Sequence, residues 1–351
     1  MLIEPSWTLA EFERLRPEWE ALYQADPQAH VFVSWPWLRG WLEAARPTWH
    51  VLAARRAAGA PASALLFLRV RTARRGCWHV DRELYLGGKP HADSAGFLCR
   101  PGEEAAALPA LARHLQQHLA WDRLHLDDVL DPRLAAFAGE FAGQAYHRPE
   151  GRLACPYLDL PATWERYLEE RLSAKARKHL RYYMRKVEAL PGFRATQAEP
   201  ATLEAHLDAL LPFWQARWGR DPEGNRRLLR HCFAQGCLWL GGLWQAETPV
   251  ALLAAFVDEP KQTFAYYLSG FNPAYAELSP GRVMVGHSLR YAIEHGFRLF
   301  DFLRGDEDYK LTYGTAERFV ESWRVERPTS RNTLLNVMDR VARRMQSAGA
   351  R

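Results

Sequence analysis

The chain predicts a mixed α+β fold in two halves, and three features of the sequence lead there. Segments with strand character alternate with helical ones along the whole length. The order of elements in the second half repeats the order in the first, although no residue-level repeat relates them. Residues 263–303 read as strand, small-residue turn, helix and strand, which is a βαβ unit. A single larger α+β domain with an unrelated N-terminal piece is the alternative organisation.

Taken in order, 9–25 has helical periodicity and 34–45 reads as a tryptophan-rich helix. Apolar runs at 49–55 and 62–70 flank a Gly59/Pro61 turn and predict a hairpin. The run 71–75, with three arginines, predicts a loop or strand edge. Strands near 83–86 and 96–99, a helix over 103–119, a strand at 123–127, a helix over 132–143 and a short strand at 157–160 complete the first half.

The second half opens with helices at 164–172 and 174–190 and a strand at 193–197. Helices at 201–218 and 223–234 precede strands at 237–244, 250–257 and 263–271. Ser279 reads as an N-cap and Pro280 as the first helical residue, where its missing N–H costs nothing. Val285, Leu289, Ala292 and Ile293 then repeat at helical spacing, and Gly296 reads as a left-handed stop. A strand over 297–303 puts Asp301 mid-strand between Leu299 and Leu303 on one face, with Phe300 and Phe302 on the other. A last strand at 319–325 precedes a basic amphipathic helix at 332–346, striped by Leu334, Met338, Val341 and Met345. The domain limits are therefore placed at 1–155 and 156–328, with 329–351 as the tail helix. That helix either packs on its own domain or makes weak contact with a membrane surface.

The totals narrow the class. With 351 residues and 48% apolar content, including 14 tryptophans, the chain has ample material for buried cores. A net charge of +5 favours anionic partners, and on a chain this long it also serves solubility. Cys77, Cys99, Cys155, Cys232 and Cys237 show no CxxC spacing and read as reduced thiols. No secretory signal and no apolar run of membrane-spanning length is evident, so a cytoplasmic location is expected. No metal centre is expected from the histidines or from any acid-rich calcium loop.

Several motifs then carry a resemblance. SGF-x-P, SPG and HGFRLFDFLRGDEDYK follow one another after the basic run SAKARKHLRYYMRKVEALPGF and the Arg217-Trp218 pair. In this combination the chain, over roughly 155–325, resembles the CelD/BcsL-type acetyltransferases of the GNAT superfamily, which are related to the FemAB-type aminoacyl transferases. The resemblance, together with the repeated element order, implies two tandem GNAT-like domains. It also implies acetyl-CoA or another acyl-CoA as donor, with the diphosphate on the turn formed by Ser279, Gly281, Arg282 and Val283. An amine of a sugar, peptide or biosynthetic intermediate is the implied acceptor, as in polysaccharide or envelope pathways.

Candidate roles divide between chemistry and binding. A carboxylate on an apolar face needs a partner or a raised pKa. Asp301 is therefore either a general base that orients the amine or one member of a structural ion pair, with Arg304 and Lys310 as its nearest partners in sequence. By resemblance to FemAB-type relatives, Tyr309 and Lys310 lie near the transferred group. Tyr309 would protonate a leaving thiolate and Lys310 would stabilise an oxyanion or a donor phosphate; a loop pair of Lys310 with Asp306 or Asp308 is the competing reading. Tyr267 and Arg304 are candidate substrate contacts, and Arg217 is expected to face the cleft beside a core Trp218. Lys178 and Arg181, on a helix with six cations, match a segment that relatives use for a phosphorylated sugar. Asp93 is a candidate acceptor contact from the first half. His287 and His295 read as packing or surface residues. An acyl-CoA-dependent N-acyltransferase is thus the leading expectation. A transferase using aminoacyl-tRNA and a non-catalytic GNAT-fold binding protein are the alternatives.

Overall fold

The computed structural model describes residues 1–75, 79–142 and 146–327. The expected tail helix at 332–346 and Cys77 lie outside the described residues. In chain order the first elements are β1 (Leu2–Ser6), α1 (Leu9–Ala25), α2 (Trp35–Ala45), β2 (Thr48–Arg55), β3 (Ala62–Arg75) and β4 (His79–Leu86). They continue with β5 (Leu98–Cys99), α3 (Glu104–His118), β6 (Arg123–Val129), α4 (Leu134–Gly139) and β7 (Tyr146–Asp159). Next come α5 (Trp164–Glu170), α6 (Ala174–Glu188), β8 (Phe193–Gln197), α7 (Leu203–Trp218) and α8 (Glu223–Ala234). The last are β9 (Leu238–Gln245), β10 (Thr248–Asp258), β11 (Thr263–Phe271), α9 (Pro280–Glu294), β12 (Leu299–Asp301) and β13 (Ala316–Glu326). The fold is mixed α/β.

Two compact units divide the chain, and neither is continuous in sequence. Unit one gathers Met1–Gln28, Pro47–Arg152 and the chain from Glu321; unit two gathers Ala29–Arg46 and Leu153–Val320. In unit one the strands run β1-β2-β3-β4-β6 and then the Glu321–Glu326 part of β13, with β5 beside β3. Thr8 starts α1 with a reciprocal capping box to Glu11. β1 escapes a pattern reading because it holds Pro5. A proline is tolerated there because β1 pairs only with β2, at the sheet edge. Arg71 and Arg74, expected at a loop or edge, lie within β3 in register with Glu83 and Val80 of β4.

Unit two is ordered β7-β12-β11-β10-β9-β8. All its pairings are antiparallel except β11 with β12, which the α9 crossover makes parallel. One face of this sheet packs Val250, Leu253, Ala255, Phe264 and Phe300 under α9 and α6. Gly286 lets these two helices close, since a Cβ there would stand 2.9 Å from Leu180 Cδ1. Phe256, on the opposite face, meets Phe32 and Trp37 at ring distances of 5.8 and 5.9 Å, so the tryptophan-rich α2 stretch belongs to this core. Gly40 of α2 packs against α8, where an added Cβ would meet Cys232 Sγ at 2.9 Å.

Candidate active site

β11 has nine residues, but only Thr263, Phe264 and Ala265 pair with β12, opposite Leu299, Phe300 and Asp301. Beyond that point the chain leaves β11 and follows β7 instead. Phe302 N–H donates to Pro156 O at 2.9 Å and Gly305 N–H donates to Ala154 O at 3.0 Å. The edge of β11 from Tyr266 to Phe271 is thereby parted from its parallel neighbour. The strand predicted over 297–303 is shortened to Leu299–Asp301 by this divergence, and Leu303 adopts a left-handed φ of 55° where the chain turns away.

A bulge lies in the same strand. Ala255 pairs with Tyr266 and Ala254 with Leu268, which leaves Tyr267 as the extra residue. Side chains three apart point to opposite faces of a regular strand. The bulge instead returns Ser269 to the face of Tyr266, and their hydroxyls meet at 2.5 Å. Tyr267 consequently sits on the other face, its ring 4.7 Å from Phe256. Tyr267, a candidate substrate contact from the sequence, is thus set apart from Tyr309; Tyr266, which pattern reading missed, is the tyrosine grouped with Tyr309. Tyr309 Oη donates to Tyr266 Oη at 3.5 Å. Burial pushes the pKa of both phenols up, so both keep their protons at neutral pH.

The other loop residues also find partners. Lys310 is buried, and its Nζ pairs with Glu307 at 2.9 Å and donates to Arg304 O at 3.1 Å. Glu307, rather than Asp306 or Asp308, is thus its counter-ion. Gly305 makes room for the pair at a φ of 133°. Asp301, buried at the end of β12, accepts from Leu303 N–H at 2.9 Å through Oδ1 and from Arg318 Nη2 at 2.5 Å through Oδ2. Its ionic partner is therefore Arg318 of β13, in place of Arg304 or Lys310. Seventeen residues of chain separate the two, which no local reading of Asp301 would bridge.

At the start of α9, Ser279 holds the N-cap position expected of it, but with a left-handed φ of 49° and no side-chain cap hydrogen bond. Its carbonyl accepts from Val283 N–H at 3.1 Å, so the Val283 amide is already engaged in the first turn. Pro280 has no N–H, which leaves the amides of Gly281 and Arg282 as the first-turn donors without an intrahelical acceptor. Phe271, from the parted end of β11, covers Gly281 closely; a Cβ there would lie 3.3 Å from its ring. Tyr313 Oη donates to Arg282 O at 3.4 Å, and its ring stacks on Phe302 at 5.5 Å, so aromatic side chains floor this end of the opening.

Lys178 and Arg181 are exposed on α6, alongside Lys175, Arg185 and Lys186. Arg217, exposed at the end of α7, stacks over Trp218 at 5.1 Å, and its charge acts on both Tyr266 and Tyr309. Trp218 itself is 48% exposed, which corrects its assignment to the core. Arg304 and Tyr309 are half-buried. Asp93 lies half-buried in a loop of unit one.

In unit one the matching parallel pair, β4 and β6, does not stay open. Beyond Tyr85 and His125, Ala95 bridges to Val129 on the same edge of β6, and Lys89 forms a buried 2.6 Å pair with Asp128. His114 and His118 do stand four apart on α3, with rings at 4.9 Å. Among the described residues, however, no group of three or more His, Cys, Asp or Glu is placed to hold a metal. The described cysteines are buried and in no disulfide, and burial pushes the Cys232 thiol well up, away from a nucleophile's range. No described helix is long and apolar enough to cross a membrane.

The family model for "Acetyltransferase (GNAT) domain" matches residues 174–311, which contain the parted strands, the α9 turn and the tyrosine loop. Residues 174–311 are a GNAT acetyltransferase domain. With this domain the chain is an N-acyltransferase by class. No curated protein matches the chain by sequence. Among solved structures, the GNAT-domain chain is similar to FemX, at 12% identity and a TM-score of 0.64, over 91% of this chain and 96% of that one. The C-terminal domain of a putative lysylphosphatidylglycerol synthetase from Agrobacterium fabrum matches at 11% identity and a TM-score of 0.56, covering 94% and 96%. A tandem GNAT protein from the clavulanic acid biosynthesis pathway matches at 13% identity and 0.51, covering 94% and 100%. At these identities the likeness is one of fold.

Proposed function

We propose that this chain transfers an acyl group from acyl-CoA directly to an amine, without a covalent enzyme intermediate. The observation that carries the reading is the parting of β11 from β12 beside the first turn of α9, inside the GNAT domain. The Gly281 and Arg282 amides and the Arg282 guanidinium suit a diphosphate, because a helix N-terminus with free N–H groups favours an anion. The parted edge of β11 offers backbone groups to a pantetheine arm. Tyr309 manages the proton of the transfer. Lys310, held by Glu307, carries positive charge to the loop beside the carbonyl. Asp301 acts as a positioning residue, because Leu303 and Arg318 engage both of its oxygens.

The acceptor in this reading is an amine on a sugar, peptide or biosynthetic intermediate, with Lys178, Arg181 and Arg217 available to anionic groups on it. The cytoplasm, where acyl-CoA is found, suits buried thiols in no disulfide. Calorimetric titration with acetyl-CoA tests the donor. Micromolar binding that Gly281→Val abolishes supports the assignment, and no heat with any acyl-CoA removes it.

A FemAB-like use of aminoacyl-tRNA is the second reading, favoured by the exposed cations of α6 and the Tyr309-Lys310 pair. The FemX and lysylphosphatidylglycerol synthetase folds are compatible with it. Binding that falls steeply with ionic strength would favour this donor, since phosphate-backbone contacts release counterions.

A further inference from the structure

We propose that Tyr309, Tyr266 and Ser269 form a hydroxyl chain that carries a proton from the acceptor amine to the departing thiolate. The proposal rests on the acyl-CoA reading and assigns roles to Tyr266, outside the family motifs, and to Ser269, the first residue of SGF-x-P. Three observations support it.

The first is connectivity. Tyr309 donates to Tyr266, and Tyr266 lies 2.5 Å from Ser269 Oγ. With Tyr309 as donor, the Tyr266 proton points to Ser269, and the Ser269 proton is left to turn toward the parted edge. The 3.5 Å first link is long, as hydrogen bonds in ligand-free sites commonly are before substrate closes them.

The second is position. Phe271, against Gly281, marks the diphosphate end of β11. Back along the strand to Tyr266 is five residues, or about 16 Å at the usual strand rise. An extended pantetheine arm covers a comparable distance, so a donor laid along this edge passes the face that Ser269 and Tyr266 share.

The third is the setting. Tyr266 is buried in one core cluster with Phe302, Phe264 and Phe300, an apolar setting in which its hydroxyl needs a partner. The buried hydroxyl here has two partners, Tyr309 and Ser269. Arg217, Glu307, Tyr309 and Tyr313 are the ionisable groups that act on or with it.

The chemistry balances. The amine nitrogen attacks the thioester carbonyl, the C–N bond forms and the C–S bond breaks. The ammonium proton passes to the Tyr309 oxygen, the Tyr309 proton to Tyr266, that of Tyr266 to Ser269, and that of Ser269 to the thiolate. Amide and thiol result, and each hydroxyl ends protonated.

The test uses the full chain with coenzyme A and follows thiolate absorbance against pH. Bound to the wild-type chain, the thiol should ionise about one pH unit below free coenzyme A, because a hydrogen bond to the charged sulfur favours it by about that much. Ser269→Ala should return the titration to the free value and Tyr266→Phe part of the way, while Ser269→Thr keeps the shift. Desulfo-coenzyme A, which lacks the sulfur, should bind all four forms alike. An unchanged titration in Ser269→Ala overturns the chain of hydroxyls. So does loss of desulfo-coenzyme A binding in that variant, which would mark a structural role. If the wild-type chain binds neither ligand, the donor assignment itself falls and the relay with it.

Discussion

Arg318 Nη2 stands 2.5 Å from Asp301 Oδ2, so the last residue of β12 is tied to β13 at the point where β12 has left β11. The guanidinium also lies over the Tyr157 ring of β7, at 5.2 Å. One cation thus joins three strands of unit two around the turn that leads to Tyr309 and Lys310.

The pair is open to a double-mutant cycle. Asp301→Asn and Arg318→Met should each destabilise the fold by about 2–4 kcal/mol, because each strands a mostly buried partner. The double variant should cost about 1–2 kcal/mol less than the sum, since one removal already breaks the bond. Denaturant unfolding measures all three. Additive losses would show that the two side chains act independently.

Arg282→Ala should weaken coenzyme A binding roughly tenfold, the loss of one charge-assisted contact to phosphate. Titration of the wild-type chain should give one coenzyme A per chain, since Ala95 and the Lys89–Asp128 pair occupy the corresponding edge of β6 in unit one. A stoichiometry of two would contradict the difference between the units.

Gly305→Ala should lower stability by about 1–3 kcal/mol, from the unfavourable backbone region alone. The added Cβ would also fall 2.8 Å from Lys310 Nζ and against the Glu307 carboxylate. Thermal unfolding checks the size of the effect. A near-neutral result would mean that the loop re-forms around another arrangement of the pair.

His287 sets a pH dependence. Burial lowers its pKa to about 4, outweighing Glu188 at 3.3 Å, which would favour the charged ring. The unfolded chain binds this proton below its ordinary value of about 6.5, while the folded chain resists it. Stability from this residue is therefore intact above pH 6.5 and is lost as pH falls toward 4, by about 2–3 kcal/mol in total. His287→Gln should flatten that part of the stability–pH curve, as read by urea unfolding at stepped pH.

Local chemistry determined much of this molecule from the sequence alone. Pro280 opens α9, Gly296 ends its crossover at a φ of 78°, and the aromatic run Thr263–Phe271 is a strand. Each depends on backbone preferences or periodicity within a few residues, which a chain carries wherever it goes. Motif order likewise points to the GNAT domain. Tertiary structure alone decided the rest. Whether Tyr266 or Tyr267 meets Tyr309 depends on an extra residue in the pairing of β11 with β10, and strand register is a property of two segments together. Arg318 reaches Asp301, and Trp218 is left exposed, because of which strands and helix ends become neighbours in unit two. Ser279 keeps the N-cap position but makes no side-chain cap, because the turn before α9 sets its backbone left-handed. Preferences that act within a turn or two are written in the residues; partners across the fold exist only once the strands have chosen their order.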